Sequence, residues 1–234
     1  MQAIFKKEMR NYFRTPIAYI FIAPFLALAA LFFVSGVIST QQASVDYILG
    51  PINIICLFIV PVLTMQLFAE ERNKKTDQLL ITSPVSVAGI VAGKYFAAFC
   101  VFLIAFLISL LFPAILFIIG KPVLSEMVGS YIGFLLIWSV FISIGVFISS
   151  LTESQVISAI LTFVILLVLY TLDGFTSGIT QQWLKTIVEW FSVFKRFQDF
   201  QIGVIKFQNV LFYASFVFVF LFLTVRNIDK RRFS

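Results

Sequence analysis

The stretch SYIGFLLIWSVFISIGVFISSLTESQVISAILTFVILLVLYTL, residues 130–172, contains a single charged side chain, Glu153. The uncharged runs on either side of Glu153 each hold about 20 residues, the length of helix that crosses a hydrocarbon core of about 30 Å. Both runs are continuously apolar, whereas the strands of a membrane barrel would alternate. Thr152 and Gln155 stand at capping-box spacing, with Glu153 at the positive end of the following helix, so residues 151–155 read as a tight turn between two spans.

Working outward, the same criterion finds further spans at roughly 17–38, 48–69, 95–119 and 207–226, six in all with 130–151 and 155–172. Composition agrees. Of 234 residues, 61% are hydrophobic and 12% charged, against roughly 45–50% and about 25% in soluble domains. A soluble globule would need a polar skin, so the fold class is an all-α polytopic membrane protein. With no His and 2 Cys, zinc sets, Cys-His dyads and Ser-His-Asp triads are excluded. Cys56 and Cys100 both lie in apolar runs and read as small packing residues.

The charge of +6 flanks the spans, which is a topology signal rather than a nucleic-acid footprint. Lys6, Lys7, Arg10, Arg14, Arg72, Lys74, Lys75, Lys94, Arg226, Lys230, Arg231 and Arg232 fall on one side. Lys121, Lys185, Lys195, Arg196 and Lys206 fall on the other. The positive-inside rule therefore places both termini in the cytoplasm; the membrane expected is a bacterial plasma membrane. The first span, about 22 residues long and without an A-x-A-like cleavage site, reads as a retained helix rather than a signal peptide.

Residues 1–16 precede the first span as an amphipathic helix. At about 100° per residue, Ile4, Phe5, Met9, Tyr12 and Phe13 share one half-turn, while Lys6, Lys7, Arg10 and Arg14 occupy the other, the pattern of a helix lying flat at the interface. A solvated basic tail is the alternative. The outer segment 173–206 places Trp183, Ile187, Trp190, Phe191 and Phe194 at helical spacing, with Lys185 and Glu189 turned away. This reads as a short helix dipping into the outer interface, or as an aromatic belt that only anchors. Residues 227–234 form a basic tail.

No span carries Lys, Arg, Asp or Glu at its middle, where ion-coupled carriers keep a titratable group. GIVAGKY, residues 89–95, resembles a phosphate loop but has three residues between its glycines and Tyr95 where magnesium needs Ser or Thr. Energy must come from another subunit. The inner loop EERNKKTDQLLITSPVSVAGIVAGK, residues 70–94, has the character of a docking element. Glu70, Glu71, Arg72, Lys74, Lys75 and Asp77 put both signs beneath the membrane, with Thr76 among them. Leu79, Leu80 and Ile81 then lead to Ser83-Pro84, which predict an N-cap and first residue for a short helix through Val85, Val87 and Ile90. A plain reversing loop is the alternative. Gly129 and Gly133 form a GxxxG pair for close helix contact or a flexible span end, and Pro24, Pro61 and Pro113 could kink their spans.

On FKKEMRNYFRTPIAYI (residues 5–20), EERNKKTDQLLITSPVSVAGIVAGKYFAAF (70–99), SSLTESQVISA (149–159), FKRFQDFQIGVI (194–205) and LTVRNIDKRR (223–232), the chain resembles the permeases of ATP-binding cassette exporters of the ABC type-2 family. The resemblance implies six spans, a second permease copy in a two-plus-two assembly, and a cytoplasmic ATPase that holds ATP and magnesium, with no cofactor on this chain. It makes residues 2–14 a connecting helix and 84–91 a coupling helix. Glu70, Glu71, Arg72, Thr76, Leu79, Leu80, Ser83, Pro84, Val85 and Val87 become the ATPase-coupling surface. It also implies re-entrant helices before the last span and a substrate path along spans two and five. Asn53, Thr64, Gln66, Ser158 and Thr162 are the polar candidates there, although each alone suits helix–helix contact.

The expected function is thus a permease subunit moving an apolar or amphipathic substrate outward, since uncharged, Phe-rich spans would desolvate a charged solute without compensation. Membrane lipid is a partner and nucleic acid is not. A membrane anchor for an ATPase-driven surface machine shares the same topology. A lipid-modifying enzyme would have to be built from Asp46, Glu126 and Asp173, which show no catalytic spacing.

Overall fold

In the computed structural model, residues 1–38, 44–76, 85–120, 122–175 and 192–232 are described. Among them no strand occurs. The helices are α1 (Gln2–Arg14), α2 (Ile17–Phe32, continued by a π-helical stretch Phe33–Ile38), α3 (Asp46–Thr64), α4 (Gln66–Asn73), α5 (Val87–Ser109), α6 (Leu111–Ile119), α7 (Leu124–Leu151), α8 (Gln155–Phe175), α9 (Val193–Gln201) and α10 (Phe207–Arg232). Six stretches are long and apolar enough to cross a membrane: Ile17–Ile38, Asp46–Asn73, Val87–Ile118, Leu124–Leu151, Gln155–Leu172 and Phe207–Arg231. The second, third and sixth outlast their apolar runs, because a helix continues into polar sequence until something caps it. Val87 is such a start: the Ser86 hydroxyl accepts the Gly89 N–H.

The fourth span, α7, is the axis of the bundle. Of its span window 78% is buried, against 17% for the fifth and sixth spans, and it is apolar on every face, as a core helix must be. Trp138 at its middle stacks on Phe102 of α5 (centroids 4.8 Å, 10°) and takes Phe25 and Phe21 of α2 edge-on at 5.6 and 6.0 Å. Lipid removes the hydrophobic drive between helices, so such shape-fitted contacts hold spans together, each aromatic pair contributing about 0.5–1.5 kcal/mol. Gly145 lets α7 approach α3 so closely that a Cβ there would lie 2.3 Å from Thr64 Oγ1.

Side-chain bonds sort the chain ends into two faces. Lys94 bonds Glu8, Arg72 bonds Glu153 and Asn227 bonds Ser150, so α1 and the cytoplasm-assigned ends of five spans meet on one face, called here the terminal face. At the opposite face Asp46 Oδ1 accepts from Ser130 Oγ and Gln201 Nε2 at 3.0 and 3.2 Å.

Four local expectations change. The N-terminal helix forms over Gln2–Arg14, but its buried stripe is Ile4, Glu8 and Tyr12. Phe5 and Met9 are half-buried, and Phe13 is exposed with its ring edge on Tyr19. The helix lies on the start of α5, where Ile4 is 3.1 Å from a Cβ built at Gly93, so Tyr12 is a packing residue and not an interfacial anchor. A separate helix over 84–91 is absent from the described part of that range: Val87 to Val91 are the opening turns of α5, capped by Ser86. At the inner turn Thr152 closes α7, and it is the Ser154 hydroxyl that accepts the Ile157 N–H, at 3.5 Å. Gly129 and Gly133 do make a close contact, and the partner is the short helix α9: Cβ atoms there would lie 2.3 Å from Phe200 O and 2.8 Å from Phe200 Cβ. Of the segment before the last span, α9 and the turn at Gly203 (φ 76°) are described. Trp183, Ile187, Trp190 and Phe191 lie outside the described residues.

Candidate coupling site at the terminal face

The site is built around an amine that sequence reading counted only toward topology. Lys94, in the second turn of α5, is fully buried. Its Nζ donates to Glu8 Oε1 at 2.9 Å and to Leu67 O, and forms an ion pair with Glu71 Oε2 at 2.8 Å. Lys7 completes the cluster, donating to Glu71 and lying 3.4 Å from Glu8. A buried charge is costly unless paired and hydrogen-bonded; two ammonium groups against two carboxylates make the cluster neutral. Partial burial opposes the charge of Lys7, but Glu71 and then Glu8 outweigh it and hold the ammonium above its ordinary value. Burial, and then the Glu8 charge, push the Tyr12 phenol well above its usual value, so it stays a neutral donor, and its hydroxyl bonds Leu63 O at 2.7 Å.

This cluster joins α1, the end of the second span and the start of the third. A second clasp secures the neighbouring ends. Arg72 Nη2 meets Glu153 Oε1 at 2.6 Å, and Asn227 Nδ2 donates to Ser150 O at 2.9 Å. Helix α4 then stops in a Schellman-type turn: Thr76 N–H donates to Glu71 O and Lys75 N–H to Arg72 O, with Lys75 left-handed at φ 56°. Between α1 and α4 opens a cavity of about 850 Å³, walled by Lys6, Arg10 and Arg14 on one side and Glu70, Glu71 and Lys74 on the other.

Of the coupling residues read from sequence, Glu71 and Arg72 are partners in these clasps, Glu70 pairs with Lys74 at 2.6 Å, Thr76 is exposed at the turn, and Val85 and Val87 pack against the core. Leu79, Leu80, Ser83 and Pro84 lie outside the described residues. The five polar path candidates are all buried inside the protomer. Thr64 Oγ1 donates to Val60 O and Thr162 Oγ1 to Ser158 O; both hydroxyls bond their own helices. Asn53, Gln66 and Ser158 each keep a buried polar atom without a partner. Sequence reading missed Glu8, Lys94 and Ser149. The signal for Glu8 was present, since it falls between Ile4 and Tyr12 on the apolar half-turn, where an unpaired carboxylate could not remain.

The family model described as ABC-2 family transporter protein matches residues 2–190 of the chain. No curated protein matches it.

Proposed function

The chain belongs to the ABC-2 family of transporter proteins and is thus a membrane-spanning permease subunit, and on that premise we propose how it works. The terminal face lies in the cytoplasm. A separate ATP-binding cassette ATPase, which holds ATP and magnesium, docks on the loop of residues 70–94 and drives export of an apolar or amphipathic substrate. The observation that carries this reading is the neutral Glu8–Lys94–Glu71–Lys7 cluster. An ATPase moves a permease only if its nucleotide states favour different permease arrangements, and a soft docking surface would absorb that difference. The cluster supports a stiff one, because it fixes α1, α4 and α5 to one another where the docking loop emerges.

A second copy packs against the seam of the second and fifth spans, where Phe58, exposed on α3, meets Phe163 of α8 at 4.8 Å. Substrate passes along that apolar seam rather than past the five buried polar residues. Purification from the native membrane tests the reading. The chain is expected to bring down an ATP-binding cassette ATPase whose ATP turnover rises with an apolar substrate. Turnover indifferent to every apolar substrate favours a membrane anchor, and a chain that purifies without an ATPase contradicts the proposal.

A further inference from the structure

The hydrogen-bond ladder of the second span is interrupted at Met65, whose backbone keeps helical dihedrals (φ −56°, ψ −34°). Helix α3 ends at Thr64, α4 begins at Gln66, and α4 has no side-chain cap from its own sequence. The first N–H groups of a helix have no intrahelical partner, and here a neighbouring helix supplies one. The Ser149 hydroxyl, buried on α7, accepts the Phe68 and Ala69 N–H groups at 3.1 and 3.2 Å and donates to Met65 O at 3.1 Å. That uses its one hydrogen and both lone pairs. Just before the break Leu63 O takes the Tyr12 hydroxyl, and just after it Leu67 O takes the Lys94 ammonium. Five backbone groups across residues 63–69 are therefore held by side chains of α1, α5 and α7.

Such an arrangement differs from a kink fixed by its own proline. Pro61 has no N–H to give to Leu57 O, so its own effect falls on the turn before it, whereas the Met65 N–H reaches Pro61 O at 2.9 Å and the turn from Pro61 to the break is closed. What sets the direction of α4 is external, and external bonds can be exchanged without unfolding a turn. The same segment carries Glu70, Glu71 and Arg72.

We propose that Met65 is the swivel of the second span, and that Ser149 is the positioning residue which latches α4 in its resting direction and releases it when the ATPase changes nucleotide state, while the Lys94 cluster keeps α4 joined to α1 and α5. This rests on the ATPase-driven reading above. On release, Phe68 and Ala69 N–H lose their acceptor, and α4 turns together with the Lys94 cluster.

Amide hydrogen exchange tests it in the assembled permease–ATPase complex in nanodiscs, nucleotide-free and vanadate-trapped. In the wild type, trapping is expected to speed exchange of residues 66–70 severalfold while residues 48–60 of α3 stay unchanged. Removing a helix cap weakens a terminus by roughly 2- to 30-fold, so Ser149→Ala should exchange that much faster in residues 66–70 without nucleotide, and trapping should add little. Tyr12→Phe, which frees Leu63 O and leaves both hydrogen-bonded N–H groups in place, should retain the nucleotide response. Equal protection of residues 66–70 in both wild-type states, with changes in 85–95, overturns the swivel and leaves ATPase coupling standing. Trapping that alters no part of the chain overturns both.

Discussion

Substituting Gly129 by Ala measures how much of the half opposite the terminal face is held by the close approach of α7 and α9. A Cβ at Gly129 would stand 2.3 Å from Phe200 O, a backbone atom, and 3.1 Å from Gly203 Cα. Ordinary contact begins at 3.4 Å, so α9 would have to withdraw by about 1.1 Å, the difference between the two distances. That retreat strains the Gln201–Asp46 bond (3.2 Å) and the Tyr213 hydroxyl on Val193 O (2.6 Å). Overpacking of this kind costs about 1–3 kcal/mol, less the roughly 0.8–1.0 kcal/mol that Ala gains over Gly inside a helix, so at about 2–4 °C per kcal/mol for a chain of this size the melting temperature should fall by up to about 9 °C. Gly50→Ala is the internal control: nothing beyond its chain neighbours lies within 4 Å of its added Cβ, and the helix-propensity gain of about 0.8–1.0 kcal/mol is opposed by Pro51, which disfavours a helical residue with a Cβ before it. Melting of the Gly129 variant in the same nanodiscs should therefore fall, while that of the Gly50 variant stays near wild type. If they shift alike, the close contact between α7 and α9 is not a determinant of stability.

Three further outcomes follow from the charge pattern. Lys94→Met should destabilise by about 3–5 kcal/mol by leaving Glu8 and Glu71 buried with Lys7 alone, and adding Glu8→Gln should recover most of the loss; thermal melting of the single and double variants checks this. Glu153→Gln should cost under about 1 kcal/mol in the same assay, since the Glu153 side chain is 70% exposed and the bridge to Arg72 is screened. Asp199 is held below its ordinary value of 3.8 by hydrogen bonds from Asn209 and Lys206. Its folded form therefore binds its proton less readily than the unfolded chain, and the stability it contributes is complete above pH 3.8 and lost as pH falls through the lower folded value. Asp199→Asn should melt lower than wild type by a constant margin from pH 5 to 8, with the gap closing only in stronger acid.

Hydropathy made the six spans legible because lipid demands long apolar runs, and the tight turn at 151–155 followed from the single charge between two of them. The caps were harder to read. Ser83, Ser86, Thr152 and Ser154 are all competent residues, and which one caps depends on where the preceding chain is delivered. The coupling site was half visible. Glu71 and Arg72 stood out as charges beneath a span, whereas Lys94 looked like another topology marker, because only three-dimensional packing brings it to Glu8, 86 positions away in sequence. Ser149 carried no signal, since one serine in an apolar helix most often bonds its own backbone, as Ser143 does to Val140 O. The polar residues of spans two and five are buried inside the protomer for a related reason: polarity in a span marks a place where helices meet.

The central claim is that an ATPase works this permease from the cytoplasm through the loop that leaves α4. Thr76, exposed at the end of α4, is the position to label. Thr76→Cys, in a chain whose Cys56 and Cys100 are replaced by Ala, would be treated with a membrane-impermeant maleimide in sealed vesicles of known orientation, with and without the ATPase. The account predicts labelling from the cytoplasmic side alone, reduced severalfold once the ATPase is bound. Labelling from the exterior, or labelling that the bound ATPase leaves unchanged, would contradict it.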